Sequence, residues 1–213
     1  MLVLALVVIA VVSYLLGSVN GAIVASNLIF HDDIRNYGSH NAGLTNFYRI
    51  YGVKGVAIVL AVDIGKTALA LFFGKFLLGF FDAADVGALF ADLCLVLGHM
   101  FPVFYQFRGG KGVMCAGIAL FFIDWRLGVL CAILCVGIIA STRYVSLGSI
   151  VTAAFFPLGV ILTRHGLLCA GIALIIAVLI IAKHWENILR LLRHEESKLV
   201  IKKDLSDKFD ETF

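Results

Sequence analysis

The chain has 213 residues, 62% of them apolar and only 15% charged, with a mean hydropathy of +1.03. Soluble domains carry roughly 45–50% apolar and about 25% charged residues, so a water-soluble globule of this size is excluded. The net charge of +3 says little by itself; its placement along the chain says more, and no nucleic-acid partner is expected.

In hydrocarbon every backbone polar group must be paired, which leaves helices or a closed barrel. The long apolar runs do not alternate with period two, so the barrel is excluded as well. The runs fall near 2–30, 53–81, 86–105, 113–123, 127–141, 145–163 and 166–182. They predict an all-α integral membrane protein, a compact bundle of about seven transmembrane helices forming one domain over 1–213. Two runs, 113–123 and 127–141, are shorter than the roughly 20 residues of a straight span. They flank Asp124, Trp125 and Arg126, and read either as two spans or as a tight hairpin.

No Lys or Arg precedes the first apolar run and no small-residue cleavage site follows it, so it reads as a span rather than a signal peptide. The first positive residue is Arg35. Alternate loops then collect Arg35, Arg49, Lys54, Arg108, Lys111 and Arg143, and the tail adds Lys183, Arg190, Arg193, Lys198, Lys202, Lys203 and Lys208. Only Lys75, Arg126 and Arg164 fall in the other loops. The positive-inside rule therefore predicts the N-terminus outside and the C-terminus cytoplasmic.

From Lys183 the pattern is that of an amphipathic helix along the inner interface. Trp185, Ile188, Leu189 and Leu192 share one face, while His184, Asn187 and Arg190 share another. Past about Lys202 the sequence turns polar and reads as frayed. The five cysteines all lie in apolar runs without a C-x-x-C pair, and read as reduced packing residues. No metal or cofactor is expected.

Three clusters carry chemistry. The first is DIRNYGSHNAGLTNFYR over 33–49. Gly38 and Gly43 permit a tight backbone; Ser39, Asn41, Thr45 and Asn46 supply neutral hydrogen-bonding groups. Arg35 and Arg49 supply forked cationic donors suited to phosphate. The second is GHMFPVFYQFRGGKGV over 98–113. Its Arg108, Gly109, Gly110, Lys111 and Gly112 form a cationic turn ahead of an apolar helix, where amide groups and a helix N-terminus favour an anion. It is not a Walker-type loop, because Tyr105 stands where the first glycine belongs and Gly112 replaces the magnesium-binding hydroxyl. The third is KHWENILRLLRHEESK over 183–198, with His184, Asn187 and Arg190 on one face. Two further features complete the set. Asp63 and Lys66 stand three residues apart inside a span, where a lone charge costs about 2.5–3.5 kcal/mol. Ser146 and Ser149 open another span from the inner side.

Together these clusters resemble the bacterial acyl-phosphate:glycerol-3-phosphate acyltransferase family, PlsY. The resemblance runs from GS at Gly17–Ser18 through the first cluster, the DIGK of Asp63–Lys66 and the second cluster to HWENILRLL. Four positions depart from the family's usual pattern: Asn20 where it carries proline in GSIP, His40 and Leu44 within GSGNxGATN, and His194 in place of a glycine. At position 40 a histidine must take up a backbone shape that glycine adopts more freely.

The resemblance implies transfer of a fatty acyl group from acyl phosphate to the 1-hydroxyl of glycerol 3-phosphate, the first step of phospholipid synthesis. It also implies a monomer in the bacterial inner membrane with a cytoplasmic site. It places Ser39, Lys111, His184 and Asn187 at the catalytic centre. Arg49, Asn41, Thr45, Asn46, Gly109, Gly110, Gly112 and Ser146 would bind substrate, supported by Arg35, Asp63, Lys66, His99 and Glu196. None of the six histidines has an aspartate five residues on, so the His-x4-Asp dyad of other lipid acyltransferases is absent. Acyl phosphate has a good leaving group, so positioning and anion binding carry more of the burden than a strong base. The competing reading is a small-anion transporter, which predicts charges near mid-membrane on broken, repeated helices.

Overall fold

The computed structural model describes residues 1–200, and all regular structure among them is helical. The chain order is α1 (Leu2–Ser18), α2 (Gly21–Phe30), α3 (Leu44–Tyr51), α4 (Val56–Gly79), α5 (Ala84–Met100), α6 (Val113–Ile123), α7 (Trp125–Thr142), α8 (Val145–Leu162), α9 (Leu167–Lys183) and α10 (Trp185–Leu192). Single 3-10 turns at Ile34–Asn36 and Val103–Tyr105 stiffen the two longest loops.

Each of the seven apolar runs becomes helix, but they are not seven equal spans. Among the described residues five helical stretches are long and apolar enough to cross a bilayer, and a sixth is reached if α9 and α10, bent by 57°, count as one. The short pair resolves unevenly. Asp124 alone separates α6 from α7 and caps α7 by accepting from the Arg126 amide at 2.8 Å. That cap starts α7 two residues earlier than the apolar run, and it reaches 18 residues. α6 keeps only 11. At 1.5 Å per residue it is about 16 Å long, roughly half the hydrocarbon thickness. Leu69, Phe72 and Phe76 on α4 and Leu130, Ile133 and Val136 on α7 are more than 60% exposed, as lipid-facing side chains are.

Without a hydrophobic force between helices in lipid, small residues let backbones approach. A Cβ on Gly17 would strike the Leu95 carbonyl, one on Gly98 the Tyr14 carbonyl, and Gly74 and Gly87 face each other's carbonyls. These contacts lock α1 and α4 onto α5.

The first apolar run breaks between α1 and α2, and the charged pair of α4 repairs the break. Lys66 Nζ donates to the carbonyls of Val19 (2.6 Å) and Gly17 (3.3 Å), which the end of α1 leaves unpaired. Asp63 Oδ1 accepts from the Gly21 amide (3.2 Å) at the start of α2 and pairs with Lys66 at 2.8 Å. Positive charge thus meets a helix C-terminus and negative charge a helix N-terminus. Asn20 finishes the junction: its Oδ1 caps α2 through the Ile23 amide, and its Nδ2 reaches the Ala42 carbonyl at 3.0 Å.

α10 is the amphipathic helix anticipated from Lys183. His184 and Asn187 are buried, whereas Trp185 and Leu192 are 61% and 74% exposed. The polar face turns into the protein and the apolar face outward. Lys202, Lys203, Lys208 and the polar end read as frayed lie outside the described residues.

Candidate active site

One cavity of about 700 Å³ opens at a single end of the bundle. Four parts of the chain converge on it: the 33–49 segment with α3, Lys111 and Gly112 with the N-terminus of α6, Ser146 and Ser149 at the start of α8, and His184, Asn187, Arg190 and Glu196. Of the candidate residues, Ser39, Asn41, Thr45, Asn46, Arg49, Asp63, His99, Lys111, Gly112, Ser146, His184, Asn187 and Glu196 line it. Arg35, Lys66, Gly109 and Gly110 do not.

The first cluster is organised by Asn46, which is 2% exposed. Its Oδ1 accepts from the Ser39 amide at 3.0 Å, and its Nδ2 donates to the carbonyls of Tyr37 (3.0 Å) and Asn41 (3.1 Å). This corrects its expected part: the amide is spent on the loop backbone rather than free for a ligand. His40 has φ of 55°, and its Nδ1 lies 3.0 Å from the Arg35 carbonyl, a side-chain bond that offsets the cost of the left-handed backbone. Arg35 clamps the two long loops. It pairs with Asp33 at 2.7 Å and donates to the carbonyls of Tyr105 and Arg108 at 2.7 and 3.1 Å. That bond to Arg35, outweighing partial burial, holds the Asp33 carboxyl below its usual range.

The glycine turn differs from expectation. The Gly109 amide donates to the Met100 carbonyl and the Gly110 amide to the His99 carbonyl, at 3.3 and 3.0 Å. A Cβ on Gly109 would overlap the His99 carbonyl, and one on Gly110 the His99 ring. The two glycines wrap the end of α5 and form no anion nest. What remains open to an anion is the N-terminus of α6. There Gly112, at φ of 76°, is the cap, and no side chain caps the helix. α3 likewise begins at the cavity with Gly43 as an uncapped start.

A second network crosses the cavity. Lys111 Nζ donates to Asn187 Oδ1. Asn187 Nδ2 and Ser146 Oγ both donate to Glu196 Oε1 at 2.7 Å, and Arg190 Nε to Glu196 Oε2 at 2.8 Å. Burial alone would raise the Glu196 carboxyl, but those three donors win and lower it. Burial pushes Lys111 down to about 8, with Glu196 opposing and Arg190 assisting. His184, 3% exposed, has Nδ1 at 2.8 Å from the Ile180 carbonyl. A carbonyl only accepts, so Nδ1 carries the proton and Nε2 is left as an acceptor.

Toward the membrane interior the cavity meets an apolar groove of about 240 Å³, sharing Val113, Gly117, Phe121, Cys135 and Ser149 with it. Leu120, Gly128, Ala132 and Phe156 continue its walls. Sequence reasoning missed these residues. Small and apolar residues lining a groove carry the same hydropathy signal as those packed in a core. Arg190 was visible on the face of His184 and Asn187, but without a role.

The fold and the cavity define a helical integral membrane protein with a cationic, hydroxyl-rich cavity joined to an apolar groove. A profile of the glycerol-3-phosphate acyltransferase family matches residues 7–194. Glycerol-3-phosphate acyltransferases from Thermoanaerobacter sp. and Francisella tularensis subsp. tularensis are 40% and 41% identical. The first alignment covers 89% of this chain and 93% of the relative, the second 90% and 91%. Crystal structures of PlsY, an integral membrane glycerol 3-phosphate acyltransferase, are similar in fold. The glycerol 3-phosphate form gives a TM-score of 0.82 at 33% identity, covering 92% of this chain and 96% of that one. The lysophosphatidic acid form gives 0.81 at 31%, with the same coverage. The chain belongs to the glycerol-3-phosphate acyltransferase family.

Proposed function

We propose that this chain transfers a fatty acyl group from acyl phosphate to the 1-hydroxyl of sn-glycerol 3-phosphate, releasing lysophosphatidic acid and inorganic phosphate. The observation that carries this reading is the junction of a head-group cavity, rich in cations and hydrogen-bond donors, with an apolar groove. A phosphorylated polar acceptor fits the first and an acyl chain the second. Arg49, Lys111 and the uncapped start of α6 hold phosphate. Ser39, Asn41 and Thr45 donate to phosphate or glycerol oxygens, while Ser146, its proton held by Glu196, can only accept from a glycerol hydroxyl. The glycerol oxygen attacks the acyl carbon and the bond from that carbon to the phosphate oxygen breaks. His184 Nε2 takes the hydroxyl proton, while Asn187, fixed by Lys111 and Glu196, orients the reacting groups. Arg35, Asp63, Lys66 and Glu196 act from behind.

Purified protein supplied with palmitoyl phosphate and glycerol 3-phosphate should release phosphate and form lysophosphatidic acid only when both are present, and Ser39→Ala should slow it. Product formed from palmitoyl-CoA but not from palmitoyl phosphate would overturn the donor assignment. We also propose that the cavity faces the cytoplasm, on the strength of the charge asymmetry. A cysteine at exposed Asn36 should react with a membrane-impermeant maleimide in inside-out vesicles and not in right-side-out ones. The reverse pattern would invert the topology.

A further inference from the structure

His99 sits in the last turn of α5, 4% exposed, and lines the head-group cavity. Its Nδ1 lies 2.9 Å from Lys66 Nζ. An ammonium has donors and no lone pair, so Nδ1 accepts and the ring proton resides on Nε2. Lys66 is in turn held by Val19, Gly17 and Asp63, so the arrangement is rigid. Gly109 and Gly110 fold against the same residue, and the absent Cβ of Gly110 leaves Nε2 uncovered by a side chain there. Among the described residues no group accepts from Nε2, so its N–H is free to donate to a molecule in the cavity that His99 lines. His184 has the opposite tautomer in the same cavity, its Nδ1 spent on Ile180 and its Nε2 an acceptor.

We infer that His99 is a substrate-binding residue that donates a hydrogen bond from Nε2–H to an oxygen of glycerol 3-phosphate. The inference rests on the acceptor reading above and gives the two histidines complementary tasks. His184 receives a proton; His99 offers one in a hydrogen bond and keeps it. The tie to Lys66 is what fixes that division, since an imidazole free to exchange tautomers would supply either function and guarantee neither.

The test measures binding of glycerol 3-phosphate and of inorganic phosphate to purified protein by calorimetry. His99→Asn keeps an acceptor near Lys66 and removes the donor that reaches the cavity. It should weaken glycerol 3-phosphate by about tenfold or more with little change in thermal midpoint. His99→Gln, whose amide reaches the Nε2 position, should restore most of the loss. If inorganic phosphate weakens in parallel, the contact is to the phosphate group; if only glycerol 3-phosphate weakens, it is to a glycerol oxygen. Wild-type affinity for both ligands in a folded His99→Asn protein overturns the inference alone. Wild-type protein that binds neither ligand overturns the acceptor reading and the inference with it. A nitrogen-15 histidine spectrum of the unmutated protein provides a second measurement. Nε2 of His99 should be protonated and its resonance should move on adding glycerol 3-phosphate. A protonated Nδ1, or no movement on binding, contradicts the proposal.

Discussion

Replacing Lys111 with methionine should lower kcat/KM for acyl transfer by about a hundredfold to a thousandfold, the usual loss when a preorganised donor to developing negative charge is removed. Methionine keeps the apolar stem, so the half-buried side chain still packs. Two things vanish together: the cation at the mouth of α6 and the donor that holds Asn187 by its Oδ1. The same residue sets a pH limb. Burial brings Lys111 down to about 8, so its cation is complete well below that pH and is lost as pH rises through it. Activity should therefore fall between pH 7 and 9 with a midpoint near pH 8. Lys111→Arg stays charged across that window, so its residual activity should lack the alkaline limb. Steady-state kinetics of the three proteins across pH checks both statements. A limb that persists unchanged in the arginine variant assigns it to another group.

The long features were legible in the sequence because each rests on one strong term. Transfer free energy marks the apolar runs, and the density of charged, hydroxyl and amide groups marks the polar clusters. Less legible was how individual polar atoms are spent. Asn41 and Asn46 look alike as amides in one cluster of the sequence, yet Asn46 is consumed by the Ser39 amide and the Tyr37 and Asn41 carbonyls. Gly109 and Gly110 look like an anion nest, yet their amides close onto Met100 and His99. Such choices depend on which backbone groups a tertiary contact leaves unpaired. Asn20 was visible only as a departure from proline, since its reach to Ala42 spans 22 positions.

Lys66→Met should be the most destabilising single neutral substitution on α4, costing about 3–5 kcal/mol, because it strands a buried carboxylate. It also orphans two carbonyls where unpaired backbone groups are dearest. Asp63→Asn should cost less. An asparagine oxygen can still accept from the Gly21 amide, and the ammonium keeps Val19, Gly17 and His99. The double variant Asp63→Leu/Lys66→Met separates two meanings of the pair. If it were only an internal ion pair, replacing both charges with apolar groups would recover much of the loss. Here the charges close the break between α1 and α2, so the double variant should stay well below the unmutated protein in thermal midpoint. It should also lose activity, because through Asn20 and Ala42 the junction anchors the 33–49 segment that lines the cavity. Thermal unfolding in detergent of the two single variants and the double decides it. Recovery of the unmutated midpoint in the double variant would reduce Asp63 and Lys66 to a packing contact and leave the broken helix to be held by Asn20 and the glycine contacts alone.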